Sequence, residues 1–202
     1  LYETWEECRA KVQGVSGAKF QKVATRDQAL AMLEGTPDRI PPGTFAFVDG
    51  NHLGGVGVVL VHRSFTGNTT RKEISTTLAE VYPNGLALED GSHATVLAML
   101  NSIRNIACEL AAALVAVQKV HPNTHMTIVY DYKGVGEWLM GRWRAKDPIV
   151  RAMVAQLLER IHDANLCVRF HHQRGHQVDR LGLSDWIQEN RRADTLATQA
   201  TA

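Results

Sequence analysis

From Thr44 onward the chain runs three strand-like segments in quick succession, then alternates helix and strand to its end. That order limits the fold more than any other feature of the sequence. Thr44–Asp49 alternates Phe45 and Phe47 and ends on an acid, Val56–His62 is a nearly continuous β-branched run, and a third strand falls within Arg71–Leu78. The turn-like Gly50–Gly55 joins the first two closely, as an antiparallel unit requires. In Ala98–Val120 the residues Ile103, Ile106, Leu110, Leu114 and Val117 share one helical stripe. His125–Asp131 is a strand that again ends on an acid. Asp147-Pro148 sets an N-cap before a proline at the first helical position, and Ile149, Val150, Met153, Val154, Leu157, Leu158 and Ile161 line one side of the helix it opens. Leu166–His172 is a fifth strand and Asp185–Thr198 a last helix. The late strand–helix alternation adds parallel strands to the antiparallel unit, so the expected class is α/β, a mixed five-stranded sheet flanked by helices. Ala79–Ala94 has no clear period and reads as an inserted loop turning at Pro83-Asn84-Gly85.

The front of the chain is organised differently. Gly35–Gly43 contains three prolines between two glycines and no apolar period, which marks a linker. Before it, helices over Thr4–Val12 and Thr25–Leu33 flank a short strand near Ala18–Val23. A segment this short holds little core alone. The expected division is a small partial α/β domain over residues 1–35, a linker over 36–43 and the main domain over 44–202.

Composition sets outer bounds. With a formal net charge of +1, no whole-molecule basic field points at nucleic acid, so any such binding must come from local patches. The three cysteines, Cys8, Cys108 and Cys167, are far apart in sequence and lack metal-type pairing; they read as reduced thiols of an intracellular protein, with cytoplasm, nucleus and mitochondrion not distinguished. No apolar run reaches the roughly 18 residues of a membrane span. The chain opens on Leu1, as a fragment or processed product would.

Four acids stand out. Asp49 and Asp131 each end an apolar strand and can emerge at one edge of a sheet. Glu109 lies roughly 100° round its helix from the apolar stripe, at an expected border between core and solvent. Asp194 follows Asn190 by one helical turn, beside the small residues Ala193 and Ala197. Taken singly, each is an ordinary strand-end or surface carboxylate. Taken together they are hard oxygen donors of the kind that hold Mg²⁺ or Mn²⁺, and two such ions suit phosphodiester hydrolysis.

The residues around the acids resemble the ribonuclease H family of the type-1 kind. Phe47-Val48-Asp49-Gly50 followed by Gly57-Val58-Val59 looks like its first hairpin, with Asn51 where the family usually has Ser. Ser102-Ile103-Arg104-Asn105-Ile106-Ala107-Cys108-Glu109-Leu110 resembles its Asn…Glu helix segment. Val129-Tyr130-Asp131-Tyr132-Lys133-Gly134-Val135 resembles the Asp-Tyr variant of the third motif, and Trp138…Gly141-Arg142-Trp143-Arg144-Ala145-Lys146 the aromatic and basic segment after it. Asn190-Arg191-Arg192-Ala193-Asp194-Thr195-Leu196-Ala197 resembles the closing motif. These matches span essentially all of residues 44–200. At the front, Tyr2-Glu3-Thr4-Trp5-Glu6-Glu7-Cys8, Val12-x-Gly14 and Gly17-Ala18-Lys19-Phe20 resemble the hybrid-binding domain that precedes many ribonucleases H1, here without its opening strand.

The resemblance implies an endoribonuclease that cuts the RNA strand of RNA–DNA hybrids with two Mg²⁺ ions, Mn²⁺ being a possible substitute, and leaves 3′-hydroxyl and 5′-phosphate ends. Asp49, Glu109, Asp131 and Asp194 are the implied metal ligands. His176 is the implied mobile histidine, on a stretch before Asp194 that is longer than usual; His171 and His172 compete for the role but lie in strand-like sequence. Asn51, Asn105 and Asn190 are candidates for the RNA side, and Trp143, Arg144 and Lys146 for the DNA strand. Trp5 and Lys22 are the implied hybrid contacts of the front domain, with Gln21 replacing a lysine; double-stranded RNA is a further candidate ligand there. A monomer without membrane attachment is expected. The competing readings are a catalytically idle ribonuclease H-fold component of a larger ribonucleoprotein assembly, and a nuclease or integrase of the same fold acting on DNA. Retention of four acids argues against the first, and the front segment against the second.

Overall fold

The computed structural model of the chain describes residues 1–15, 18, 20–26, 29, 38–175 and 184–202. Helix α1 (Trp5–Val12) opens on a capping box, in which the Thr4 hydroxyl accepts from the Glu7 amide and the Glu7 carboxylate accepts from the Thr4 amide. The expected strand near 18–23 is not formed by residues 18 and 20–23, because a lone strand has no ladder to join. Most of the expected helix over 25–33 lies outside the described residues.

The main sheet holds β1 (Gly43–Gly50), β2 (Gly55–Arg63), β3 (Thr69–Thr77), β6 (His125–Tyr130) and β7 (Cys167–His172), in the order β3-β2-β1-β6-β7. The first three pair antiparallel; β6 joins β1 in parallel and β7 joins β6 in parallel. This is the mixed five-stranded sheet that the element order implied. Parallel pairing brings the ends of β1 and β6, and hence Asp49 and Asp131, to one edge.

Both faces are covered. Along β1, Ala46 and Val48 point into a core shared with α4 (Asn105–Lys119) and α6 (Pro148–Asp163). Phe45 and Phe47 point the other way, into a smaller core with Val59, Val61, Val129 and with Ala193 and Leu196 of α7 (Asp185–Gln199). Trp186 packs edge-on against both phenylalanines, at 5.4 and 6.0 Å between ring centres. Double burial explains why β2 reads as a near-continuous apolar run.

Local pattern misjudged two stretches. Ala98–Val120 is not one helix: α3 (Val96–Ile103) and α4 meet at Arg104, whose φ is +49°, and their axes bend by 119°. The bend lets Met99 and Ile103 enter the same core as α4. Residues 79–94 form a packed excursion rather than a plain loop. It consists of a Thr77-capped turn of helix, α2 (Leu78–Val81), and a small hairpin of β4 (Leu86–Ala87) and β5 (His93–Ala94). Leu78, Tyr82 and Leu86 bury themselves in the main core, and the Tyr82 hydroxyl donates to Gln156 at 2.8 Å. A further helix, α5 (Lys133–Leu139), follows Asp131 directly. No single helix among the described residues is long and apolar enough to cross a membrane.

Just ahead of β1 the chain is fastened to the start of α7. Asp38 bridges Ser184; Asp185 accepts from Arg39 at 2.9 Å and from the Ile40 amide at 3.2 Å; Arg63 donates to the Ile40 carbonyl at 2.6 Å. Ile40 is buried in the smaller core.

Candidate active site

Three carboxylates meet at the edge where β1 and β6 end. Asp49 is the penultimate residue of β1, Asp131 follows β6, and Glu109 enters from α4; one oxygen from each lies within 4.8 Å of the others. The approach depends on Gly50. A Cβ there would overlap the backbone of Cys108 and Glu109, so only glycine lets the strand end rest on the helix. The Gly50 amide in turn donates to Asp49 at 2.7 Å. Beside Asp131, the backbone of Gly175 lies close enough that a side chain would strike its carboxylate, and His172 Nε2 meets the Asp131 carbonyl at 2.9 Å.

Glu109 is only 2% exposed, so it is not at the border the helical stripe suggested. Helix α4 is buried on every side from Ala107 to Val117. Its non-stripe positions are mostly alanine, and small residues conceal a buried face from a pattern based on large ones.

The electrostatics fit a cation site. Burial first, then the charges of Asp131 and Asp194, push Asp49 up to about 7. Burial, then Asp49 and Asp131, push Glu109 well above the usual carboxylate range. One Glu109 oxygen is buried with no hydrogen-bond partner. Among the described residues only this oxygen and one of Asn190 are orphaned in this way, where burial without a partner costs roughly 1–3 kcal/mol or more. Clustered hard oxygen donors, one of them orphaned, are what a divalent cation requires.

Asp194 lies on the exposed side of α7, outside the group of three but near enough for its charge to act on Asp49. Its helix sits unusually close to the sheet. A Cβ on Gly57 would overlap the Ala193 carbonyl, and one on Gly55 the Ala197 carbonyl. His176 lies outside the described residues.

The remaining expected residues are scattered. Asn105 is exposed at the first turn of α4. Asn190 is buried with its Oδ1 unpartnered. Asn51 has all four hydrogen-bonding positions engaged by the protein. Trp143 is 45% exposed, edge-on to Trp138 at 6.3 Å with Lys133 Nζ 5.8 Å from its ring centre; Arg144 and Lys146 are exposed nearby. In the front segment Trp5 is half exposed against Phe20 at 5.2 Å, and Lys22 is exposed. Sequence reasoning passed over Tyr132 and Lys133, which link Asp131 to this aromatic surface through Trp138, 5.8 Å from Tyr132. Their adjacency to Asp131 was the available signal.

Known proteins resemble both parts of the chain. The five-stranded domain has the ribonuclease H fold. It is similar to the RNase H1 of the halophilic archaeon Halobacterium salinarum NRC-1, at 18% identity and a TM-score of 0.50, covering 78% of this chain and 96% of that one. It is also similar to LC11-RNase H1, isolated from compost by a metagenomic approach, at 17% identity and a TM-score of 0.53, covering 80% and 96%. Residues 1–33 match the family described as the Ribonuclease H1 N-terminal domain, so the resemblance read from the sequence holds at both ends of the chain. No curated protein sequence matches it.

Proposed function

We propose that the chain is an endoribonuclease that hydrolyses the RNA strand of RNA–DNA hybrids, leaving 3′-hydroxyl and 5′-phosphate ends. The observation that carries this reading is the convergence of Asp49, Glu109 and Asp131 on one point, with an oxygen of Glu109 buried and unpartnered. Asp49, Glu109, Asp131 and Asp194 would hold two divalent ions, Mg²⁺ or Mn²⁺, which when bound supply water activation and charge stabilisation at the scissile phosphate.

The chain's own groups do the rest. Burial of Asp49 and Glu109 keeps bulk water from the donors. His176, next in sequence to the Gly175 that lies against Asp131, moves a proton during turnover. Trp143 offers an exposed ring for stacking, while Arg144 and Lys146 meet phosphates of the DNA strand. Asn105 and Asn190 are the polar groups for the RNA side, where 2′-hydroxyls distinguish it from DNA. In the front domain Trp5 and Lys22 engage the hybrid, with double-stranded RNA a second ligand.

The proposed division is a front domain over 1–35, a linker over 36–43 and the catalytic domain over 44–202, with Asp38–Ile40 anchoring the linker's end. A monomer working inside the cell fits three free thiols. The test is cleavage of a labelled hybrid in Mg²⁺ beside the Asp131→Asn variant. Cutting by the parent and not the variant is expected; failure of the parent, or equal cutting by both, overturns the reading.

A further inference from the structure

We infer that Asn51 is a positioning residue: it ties the turn after Asp49 to the end of the helix carrying Asp194, and so fixes the distance between those two acids. The inference rests on the metal-holding role proposed above.

The Asn51 side chain has two donor hydrogens and two acceptor positions, and the protein uses them all. Nδ2 donates to the Ala197 carbonyl at 2.8 Å and to the Thr201 hydroxyl at 3.1 Å. Oδ1 accepts from the amides of Leu53 and Gly55, both at 2.9 Å. Nothing is left for a 2′-hydroxyl, which removes the reason to place Asn51 against RNA.

Its partners explain what it does instead. The Oδ1 bonds close the β1–β2 turn that begins straight after Gly50. One Nδ2 bond reaches α7 at Ala197, about one turn beyond Asp194, and the other reaches Thr201, two residues past the end of the helix. Between these points helix and strand meet on flat surfaces, Gly55 and Gly57 against the backbone of Ala197 and Ala193. Flat surfaces pack closely but do not interlock, so directional bonds must fix the position of α7 along its axis at this end. Asn51 supplies two of them, and the Ser75 hydroxyl a third, to the Leu196 carbonyl at 2.8 Å. A slip of one residue moves a helix by about 1.5 Å. That is large beside the narrow range of distances, about 2.0–2.1 Å, that Mg²⁺ accepts.

Asn51→Asp isolates the tie. It keeps acceptors for Leu53 and Gly55 but replaces the donor facing Ala197 and Thr201 with a second acceptor. A new charge near the acids would by itself tighten cation binding, whereas a lost tie loosens it. We expect the Mg²⁺ concentration for half-maximal thermal stabilisation, measured without nucleic acid, to rise roughly tenfold, the usual scale for a lost outer-shell contact. Hybrid affinity in EDTA, read by fluorescence anisotropy on the charge-neutral Thr201→Val, should not change. In an Asp194→Asn background Asn51→Asp should no longer raise the Mg²⁺ requirement, since the loosening passes through Asp194 and only the added charge remains. Thr201→Val, which removes one recipient, should give the same shift at smaller amplitude and keeps the test open if Asn51→Asp misfolds. An unchanged Mg²⁺ requirement with weakened hybrid affinity, or full additivity with Asp194→Asn, overturns the inference. A parent protein that cleaves hybrid while Asn51→Asp behaves like it sinks the positioning role alone. A parent that neither gains stability from Mg²⁺ nor cleaves hybrid sinks the metal reading and this inference together.

Discussion

The backbone of Gly50 rests directly on the backbone of Glu109, with no space for even one additional carbon between them. Two elements distant in sequence meet there, the Gly50 backbone against Cys108 and the Glu109 amide, and the carboxylates of Asp49 and Glu109 converge as a result. Gly50→Ala must therefore separate strand and helix. The expected destabilisation is about 1–3 kcal/mol, typical of overpacking, with Mg²⁺-induced stabilisation lost. Denaturant melts with and without Mg²⁺ measure both, and a variant that melts and binds metal like the parent would contradict the account.

Asp131→Asn preserves shape while removing a charge from the group of three. We expect hybrid cleavage to fall by at least about a hundredfold, the scale seen when a preorganised electrostatic contact is lost. Initial rates at saturating Mg²⁺ measure this. Stability in EDTA should not fall, since one source of repulsion on Asp49 and Glu109 is gone.

The metal-free protein should lose stability as pH rises. Asp49 titrates near 7 when folded against 3.8 as the ordinary value, and Glu109 is raised in the same sense. Between those limits the folded state holds protons that the unfolded state has released, so stability present below about pH 4 declines through about pH 7. Thermal melts in EDTA across this range should show the fall, Asp49→Asn should flatten it, and Mg²⁺ should offset it at the alkaline end. A melting temperature that rises with pH in EDTA would be the wrong sign.

Trp143 can be removed without touching the core, being 45% exposed. Trp143→Ala should weaken hybrid binding by about 1–3 kcal/mol, the value of one base stacked on an aromatic ring. The loss should appear in KM, with kcat nearly kept. Steady-state kinetics with an unchanged KM would remove this surface from the substrate path.

Much of this arrangement was legible in the sequence because it is written in local patterns. Strands that end in Asp49 and Asp131 declare themselves by period and terminus, and the order of elements implies the parallel pairing that unites them. What stayed hidden depends on distant partners. The break at Arg104 carries neither glycine nor proline, and only the shared core of α3 and α4 accounts for it. Burial of Glu109 was masked by the alanines around α4. Asn51 reads from sequence as a candidate for the RNA side because its partners, Ala197 and Thr201, are at the far end of the chain.

The fastening of Asp38–Ile40 to Asp185 and Arg63 has a mechanical consequence. The chain enters the sheet at Gly43, and Asp49 lies six residues along β1, roughly 20 Å away at the rise of an extended strand. A tug on the front of the chain would be taken up by this knot at the root of the strand, where residues 38–40 are tied to the start of α7. The knot would act as strain relief: a pull on residues ahead of it meets these bonds before it reaches the carboxylates at the far end of the strand.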